Sequence, residues 1–185
     1  DQQALVRAFG DIPTLYIADG HHRAASAART RAELRGPSGA RGEWDTVLAV
    51  AFPNNQTQIL AYNRVVKDLA GSTPGKFLEA LSSRVGVTAG TATPSGRGRV
   101  SMYLGDQWHE LDLRALAPAS ADPADALDVA VLEHHVLRDM LDIQDVRTDK
   151  RIDFVGGARG TTALESAVTG GTAAVAFSMH PVTID

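Results

Sequence analysis

An apolar run, TLYIAD at residues 14–19, stops at Gly20 and gives way at once to an alanine-rich segment. No other feature restricts the fold as strongly. The run is apolar toward both faces, which predicts a short strand buried inside a parallel sheet. Gly20 punctuates it, and a helix is expected over residues 21–35, stopping at Gly36. Ala25, Ala28 and Ala32 share one side of that helix, so close packing on the sheet is expected.

Further along, residues 36–42 (GPSGARG) read as a loop. Residues 44–53 and 57–66 read as two strands joined by NNQ as a hairpin connection. A helix is expected over 73–84, with Thr73 as its cap and Pro74 in its first turn. RVSMYL and QWHELDL form a second hairpin after a strand near Gly86. The longest helix is expected over 123–142, capped by Asp122, with Pro123 first and Asp125 favouring the dipole. Val129, Leu132, Val136 and Met140 are its expected core stripe. RIDFVGG, TTALESAVTGG and AAVAFSMHPV close the chain as strand, helix and strand, with Thr162 and Glu165 at capping-box spacing. The expected fold is mixed α/β (α+β): parallel βα units at both ends, antiparallel hairpins between, in a single domain over residues 1–185.

Composition excludes several functions. With 44% hydrophobic and 22% charged residues, the chain carries enough apolar material for a core and does not read as disordered. A formal net charge of −4 makes the whole surface a poor match for nucleic acid. The absence of cysteine excludes disulfides, thiolate metal sites and a cysteine nucleophile, and suits a cytoplasmic protein. No apolar run approaches the roughly 20 residues of a membrane span. The chain opens at Asp1 without a methionine and is expected to be a piece of a longer protein.

Chemically, the junction at residues 19–23 is an anion-site candidate. The first N–H groups of a helix have no intrahelical partner, and the dipole adds positive potential there. Gly20 permits close approach of a phosphate, His21 and His22 offer donors, and Arg23 offers a planar fork. Asp19 is placed to hold a divalent cation or to orient a histidine. The bland alternative is that Asp19 caps the helix while His21, His22 and Arg23 face water. No Gly-Lys-Ser/Thr follows, and GxGxxG is absent, so neither common nucleotide loop is present.

Other motifs carry less. GGARGTT (156–162) offers Arg159 and Thr161 to an anion, but is better read as a strand-to-helix turn. GRGR (96–99) reads as a hairpin tip with arginines in water, and Arg64 and Lys67 are candidates for a second cation near Asp19. EHH (133–135) lies in mid-helix, where adjacent residues point about 100° apart. His134 and His135 are therefore expected not to chelate one metal; one packs and one is partly exposed. No GxSxG elbow is present.

YIADGHHRAASA, NRVVKDL, DVAVLEHHVL, IDFVGG and AFSMHPV, in this order, resemble a bacterial and archaeal family, domain of unknown function 1015. That family is related to free serine kinases and more distantly to the ParB/sulfiredoxin superfamily. The resemblance implies phosphorylation of a hydroxyl, above all of free L-serine, from ADP, ATP or pyrophosphate with magnesium. It implies a donor-phosphate loop formed by Gly20, His21, His22 and Arg23, assisted by Arg64, with Asp19 as magnesium ligand or orienter. Family members are about twice as long, and this chain corresponds to their C-terminal half. Their N-terminal half carries a His-Glu-x-Thr-like stretch whose Glu is the expected base. Nothing of the kind occurs here, so the chain alone is expected to bind weakly and turn over little, and to associate with that half. The competing expectations are a nucleotide-sensing or DNA-associated regulator and a non-catalytic scaffold.

Overall fold

A computed structural model describes residues 1–36, 39–119 and 122–182. The chain forms two compact units, Asp1–Thr57 and Gln58–Asp185.

The second unit is built on a six-stranded sheet. Its strands are β1 (Tyr62–Val66), β2 (Gly86–Ala89), β3 (Arg99–Leu104), β4 (Gln107–Asp112), β5 (Ile152–Gly156) and β6 (Val175–Met179), in the order β2-β4-β3-β6-β1-β5. Every neighbouring pair is antiparallel. The β3–β4 hairpin turns through Gly105 and Asp106, both at positive φ, as a two-residue connection requires. Alternation along the strands sends Val66, Met102, Val175 and Phe177 to one face and Val65, Tyr103 and Ala176 to the other. Phe77 and Leu81 of a helix over Pro74–Ser82, with Val131, Leu132, Val136 and Leu137, cover the first face. Leu164 of a helix over Thr162–Thr169 covers the second. The result is a three-layer arrangement with the larger core on one side of the sheet.

The mixed α/β class and the β3–β4 hairpin are as expected, but the parallel pairing expected of the terminal βα units is not found, since every neighbouring pair in the sheet is antiparallel. The closing strand–helix–strand is also present, although β5 and β6, which run the same way, both pair with β1 lying between them. The Pro74–Ser82 helix takes its cap from Thr73, whose hydroxyl accepts from the Lys76 N–H at 3.4 Å.

Three local expectations fail for identifiable reasons. The helix of 123–142 is broken: a 3₁₀ turn over Pro123–Ala126, capped by Asp122, is followed by extended Leu127. The α-helix starts afresh at Asp128, whose carboxylate accepts from Gly98 N–H at 2.9 Å, and runs over Asp128–Leu132. It then continues as a π-helix over Glu133–Arg138. The Thr162/Glu165 capping box does not form, because Glu165 accepts instead from the Trp108 indole N–H at 2.7 Å. In GRGR only Arg97 is exposed, while Arg99 is half-buried against Glu110 at 2.7 Å and Asp112 at 3.4 Å.

The first unit contains a helix α1 (Gln2–Gly10), a helix α2 (His21–Arg35) and 3₁₀ turns at Glu43–Asp45 and Asn54–Gln56. Asp45 joins α2 to the first turn: it accepts from Arg31 at 2.8 Å, faces Arg35 at 3.4 Å and accepts from Gly42 N–H at 3.2 Å. Arg31 above all holds its carboxyl below the usual range. Residues 14–19 and 44–53 form no strand here, contrary to expectation. A strand needs a ladder partner, and among the described residues no backbone pairs with either run. Only Tyr62–Val66 of the expected 57–66 strand is regular, and NNQ forms a 3₁₀ turn rather than a hairpin tip. Ala25, Ala28 and Ala32 are exposed, so α2 makes no close packing through them. The expected 36–42 loop includes residues 37 and 38, which lie outside the described residues. Among the described residues no helix is long and apolar enough to cross a membrane.

The sheet unit is expected to lose thermal stability in acid. Arg114 beside Asp112, Arg147 beside Asp145 and Arg151 beside Asp149 each hold the carboxyl below its ordinary value. A depressed folded-state value means that the unfolded chain takes up protons first as pH falls. The stabilisation is therefore present above about pH 4 and is lost progressively below it. Asp128, raised by burial, works in the opposite direction. Melting followed by circular dichroism should give a lower Tm at pH 3 than at pH 6. A flat profile would show that these pairs do not couple to folding.

Candidate functional site

The junction at residues 19–23 is set by Gly20, whose φ of +84° is the left-handed conformation that favours glycine. Gly20 is the N-cap of α2, and its carbonyl takes the first intrahelical bond, from Ala24 N–H at 2.9 Å. No side chain caps the helix. The N–H groups of His21, His22 and Arg23 therefore point out of its first turn without intrahelical partners. Asp19 does not act as the cap; its carboxylate pairs with Arg23 at 3.2 Å, one turn on. The guanidinium lies across Gly20, where a Cβ would meet its nitrogens at 3.0–3.1 Å.

The structure thus brings Asp19, Gly20, His21, His22 and Arg23 together at one exposed helix start. The Asp19 and Arg23 side chains are 93% and 81% exposed, so the pair is a surface one and open to exchange. The strand expected to lead into this junction is absent: Leu15, Tyr16 and Ile17 are exposed.

Arg64, the fifth candidate phosphate ligand, belongs to the other unit and is buried in the middle of β1. Its guanidinium donates to the Tyr62 carbonyl and lies 5.6 Å from the ring centroid of Phe154. Tyr62 and Phe154 stack at 5.1 Å. Burial pushes the Arg64 guanidinium down from its ordinary value, and Glu133 opposes that shift. Lys67 donates to the Lys150 carbonyl at 2.7 Å. In GGARGTT, Gly157 donates to the Ala61 carbonyl at 2.7 Å, and a Cβ at Gly157 would strike that same oxygen. Close approach of two backbones accounts for the second glycine, and the segment is the strand-to-helix turn that was expected.

One cluster contradicts the sequence reading. His134 and His135, expected to diverge, hold their rings edge to face with centroids 4.7 Å apart. With Asp139 they form a group whose ligand atoms all lie within 4.8 Å of one another. Glu133–Arg138 is a π-helix rather than part of the expected α-helix. A bond of the same i+5 span follows it, from Leu141 N–H to the Val136 carbonyl at 3.1 Å.

A family model described as "Protein of unknown function (DUF1015)" matches residues 1–130. The chain belongs to the DUF1015 family. The matched span of this DUF1015 protein includes the 19–23 junction and Arg64 and ends before the histidine pair. IDFVGG and AFSMHPV lie beyond it. No curated protein and no solved structure matches the chain.

Proposed function

We propose that the 19–23 junction is the phosphate-donor cradle of a small-molecule kinase acting on a hydroxyl, with free L-serine the best candidate acceptor. The observation that carries this reading is the uncapped start of α2 beside an exposed Arg23. Unpartnered N–H groups, the positive end of a helix and a guanidinium fork together suit a phosphate. His21 and His22 supply further donors to its oxygens.

Asp19 fits magnesium, which keeps most of its waters and takes one or two carboxylates beside substrate phosphates. Bound there with ADP, ATP or pyrophosphate, the ion would neutralise phosphate charge. Asp19 engaged in that way no longer holds Arg23, and the guanidinium is then free to turn onto the donor. In the transfer itself, the acceptor oxygen bonds to the terminal phosphorus as the bond to the leaving phosphate breaks. The hydroxyl proton needs a base, for which this junction offers no dedicated carboxylate once Asp19 holds the ion. That base is assigned to a further portion of the protein outside this chain. Arg64 has no part in the cradle on this reading, since its guanidinium is buried and already donating. The setting is cytoplasmic, where these donors are plentiful.

The test is calorimetric titration of the chain with magnesium plus ADP, ATP or pyrophosphate, beside Arg23→Ala. Binding of one donor is expected, with affinity lost in the variant. Equal affinity in Arg23→Ala, or binding of none of the three, would sink the reading. A second reading is favoured by the 3.2 Å Asp19–Arg23 pair: the junction is a helix-start clamp in a non-catalytic scaffold. On that view Asp19→Asn lowers α2 helicity and no donor binds.

A further inference from the structure

We propose that His134, His135 and Asp139 form a binding site for a divalent transition-metal ion of the zinc type. The site shares no residue with the 19–23 junction and stands or falls independently of it.

Local geometry makes the site. Closing a helical turn between residues five apart brings residue i+5 round toward residue i. Asp139, five residues after His134 and four after His135, caps the C-terminal end of the π-helix with its N–H on the Val136 carbonyl, which sets it one turn on from the two histidines. Their ligand atoms lie within 4.8 Å of one another. Two imidazoles and a carboxylate bind zinc at about 2.0–2.2 Å, which places donors roughly 3.3 Å apart in a tetrahedron. Small rotations of three side chains that are exposed or half-buried close that gap.

Two features prepare the site. The π-helix is anchored below by Val136 and Leu137, both buried in the larger core, so the backbone beneath the ligands is fixed. Asp139 meets its ion-pair partner Arg84 at 3.6 Å, with both side chains substantially exposed. A contact of that kind contributes little and yields readily to a dication. The donor set selects the ion: imidazole with a single carboxylate suits zinc, nickel or copper better than magnesium or calcium, which prefer all-oxygen ligands. Three protein ligands leave a coordination position for water, as in open zinc sites. Among the described residues no other group of three His, Asp or Glu side chains comes this close.

The test is titration of the apo chain with Zn²⁺ by calorimetry, with Co²⁺ as a spectroscopic substitute. His135→Ala, His134→Ala and Asp139→Asn are compared with the double variant His21→Ala/His22→Ala. The expected result is one ion per chain and visible d–d bands with Co²⁺. Each of the three single variants should bind at least about tenfold more weakly, the least that outer-shell changes around metal ligands produce. The His21/His22 double variant should bind as the parent does, and Zn²⁺ should raise Tm in the parent but not in His135→Ala. Circular dichroism of the free variants checks that the helix persists. The proposal is overturned by absence of stoichiometric Zn²⁺ binding, by binding that survives Asp139→Asn undiminished, or by loss of binding in the His21/His22 variant.

Discussion

Phe177→Ala is expected to destabilise the sheet unit by about 3–5 kcal/mol. Phe177 sits at the middle of β6, fully buried, with Arg64 of β1 and Met102 of β3 as its cross-strand partners. It is at the centre of the larger core, between the sheet and the helices of Phe77, Leu81, Val136 and Leu137. Truncation removes most of a ring's transfer free energy and leaves a cavity that a six-stranded sheet cannot collapse to fill. Domains are stable by about 5–15 kcal/mol, so this one change removes roughly a fifth of the total or more. Urea unfolding followed by circular dichroism should show a lower midpoint at unchanged slope. Leu48→Ala makes a natural comparison, because Leu48 is 97% exposed and its loss should cost less than about 0.5 kcal/mol. A Phe177→Ala cost below 1 kcal/mol would mean that β6 is not the centre of the core.

The contrast between Phe177 and Leu48 also marks how far the fold was legible in the sequence. AAVAFSM and TVLAVAF are similar as strings, and both read as strands. Burial is decided by partners, and only the first has them: β6 pairs with β1 and β3, whereas residues 46–53 have no ladder among the described residues. The β3–β4 hairpin was readable because turn chemistry and alternation are local, as at Gly105–Asp106. The junction at residues 19–23 was readable for the same reason, Gly20 being the one residue type at ease with φ of +84°. Its ion pair was not, since an Asp before a helix start more often caps it.

The histidine cluster was hidden because His134 and His135 were weighed alone, without Asp139 one turn on. The apolar residues around them gave no separate signal, since Val131, Leu132, Val136, Leu137 and Leu141 are buried at spacings of both four and five, and fours are what an α-helix also shows. The burial of Arg64 was also not legible: YNRVVKDL carries no mark of which strand residues lie in the sheet interior, and an arginine there is the less common outcome.

Hydrogen exchange should divide the chain sharply. Amides of β3 and β6 at the sheet centre, such as Met102 and Phe177, should open only with global unfolding. For a domain of ordinary stability that slows exchange by about four orders of magnitude or more. Amides at residues 14–19 and 47–52 make no backbone hydrogen bond among the described residues and should exchange at nearly the unprotected rate. No described residue of the first unit is buried, so no core is present there to resist opening. Mass spectrometry of peptides from the two units reads the difference directly. Protection of residues 15–17 or 47–52 comparable to that of Met102 would mean that these runs are paired after all. The same experiment bears on the phosphate cradle. Binding segments are drawn from the less stable parts of a protein, because they must rearrange around a ligand. The His21, His22 and Arg23 amides are free at the start of α2, so a bound donor should slow them selectively and leave residues 47–52 unchanged. Slowing spread evenly over the whole first unit would point to general ordering rather than to a site at Gly20.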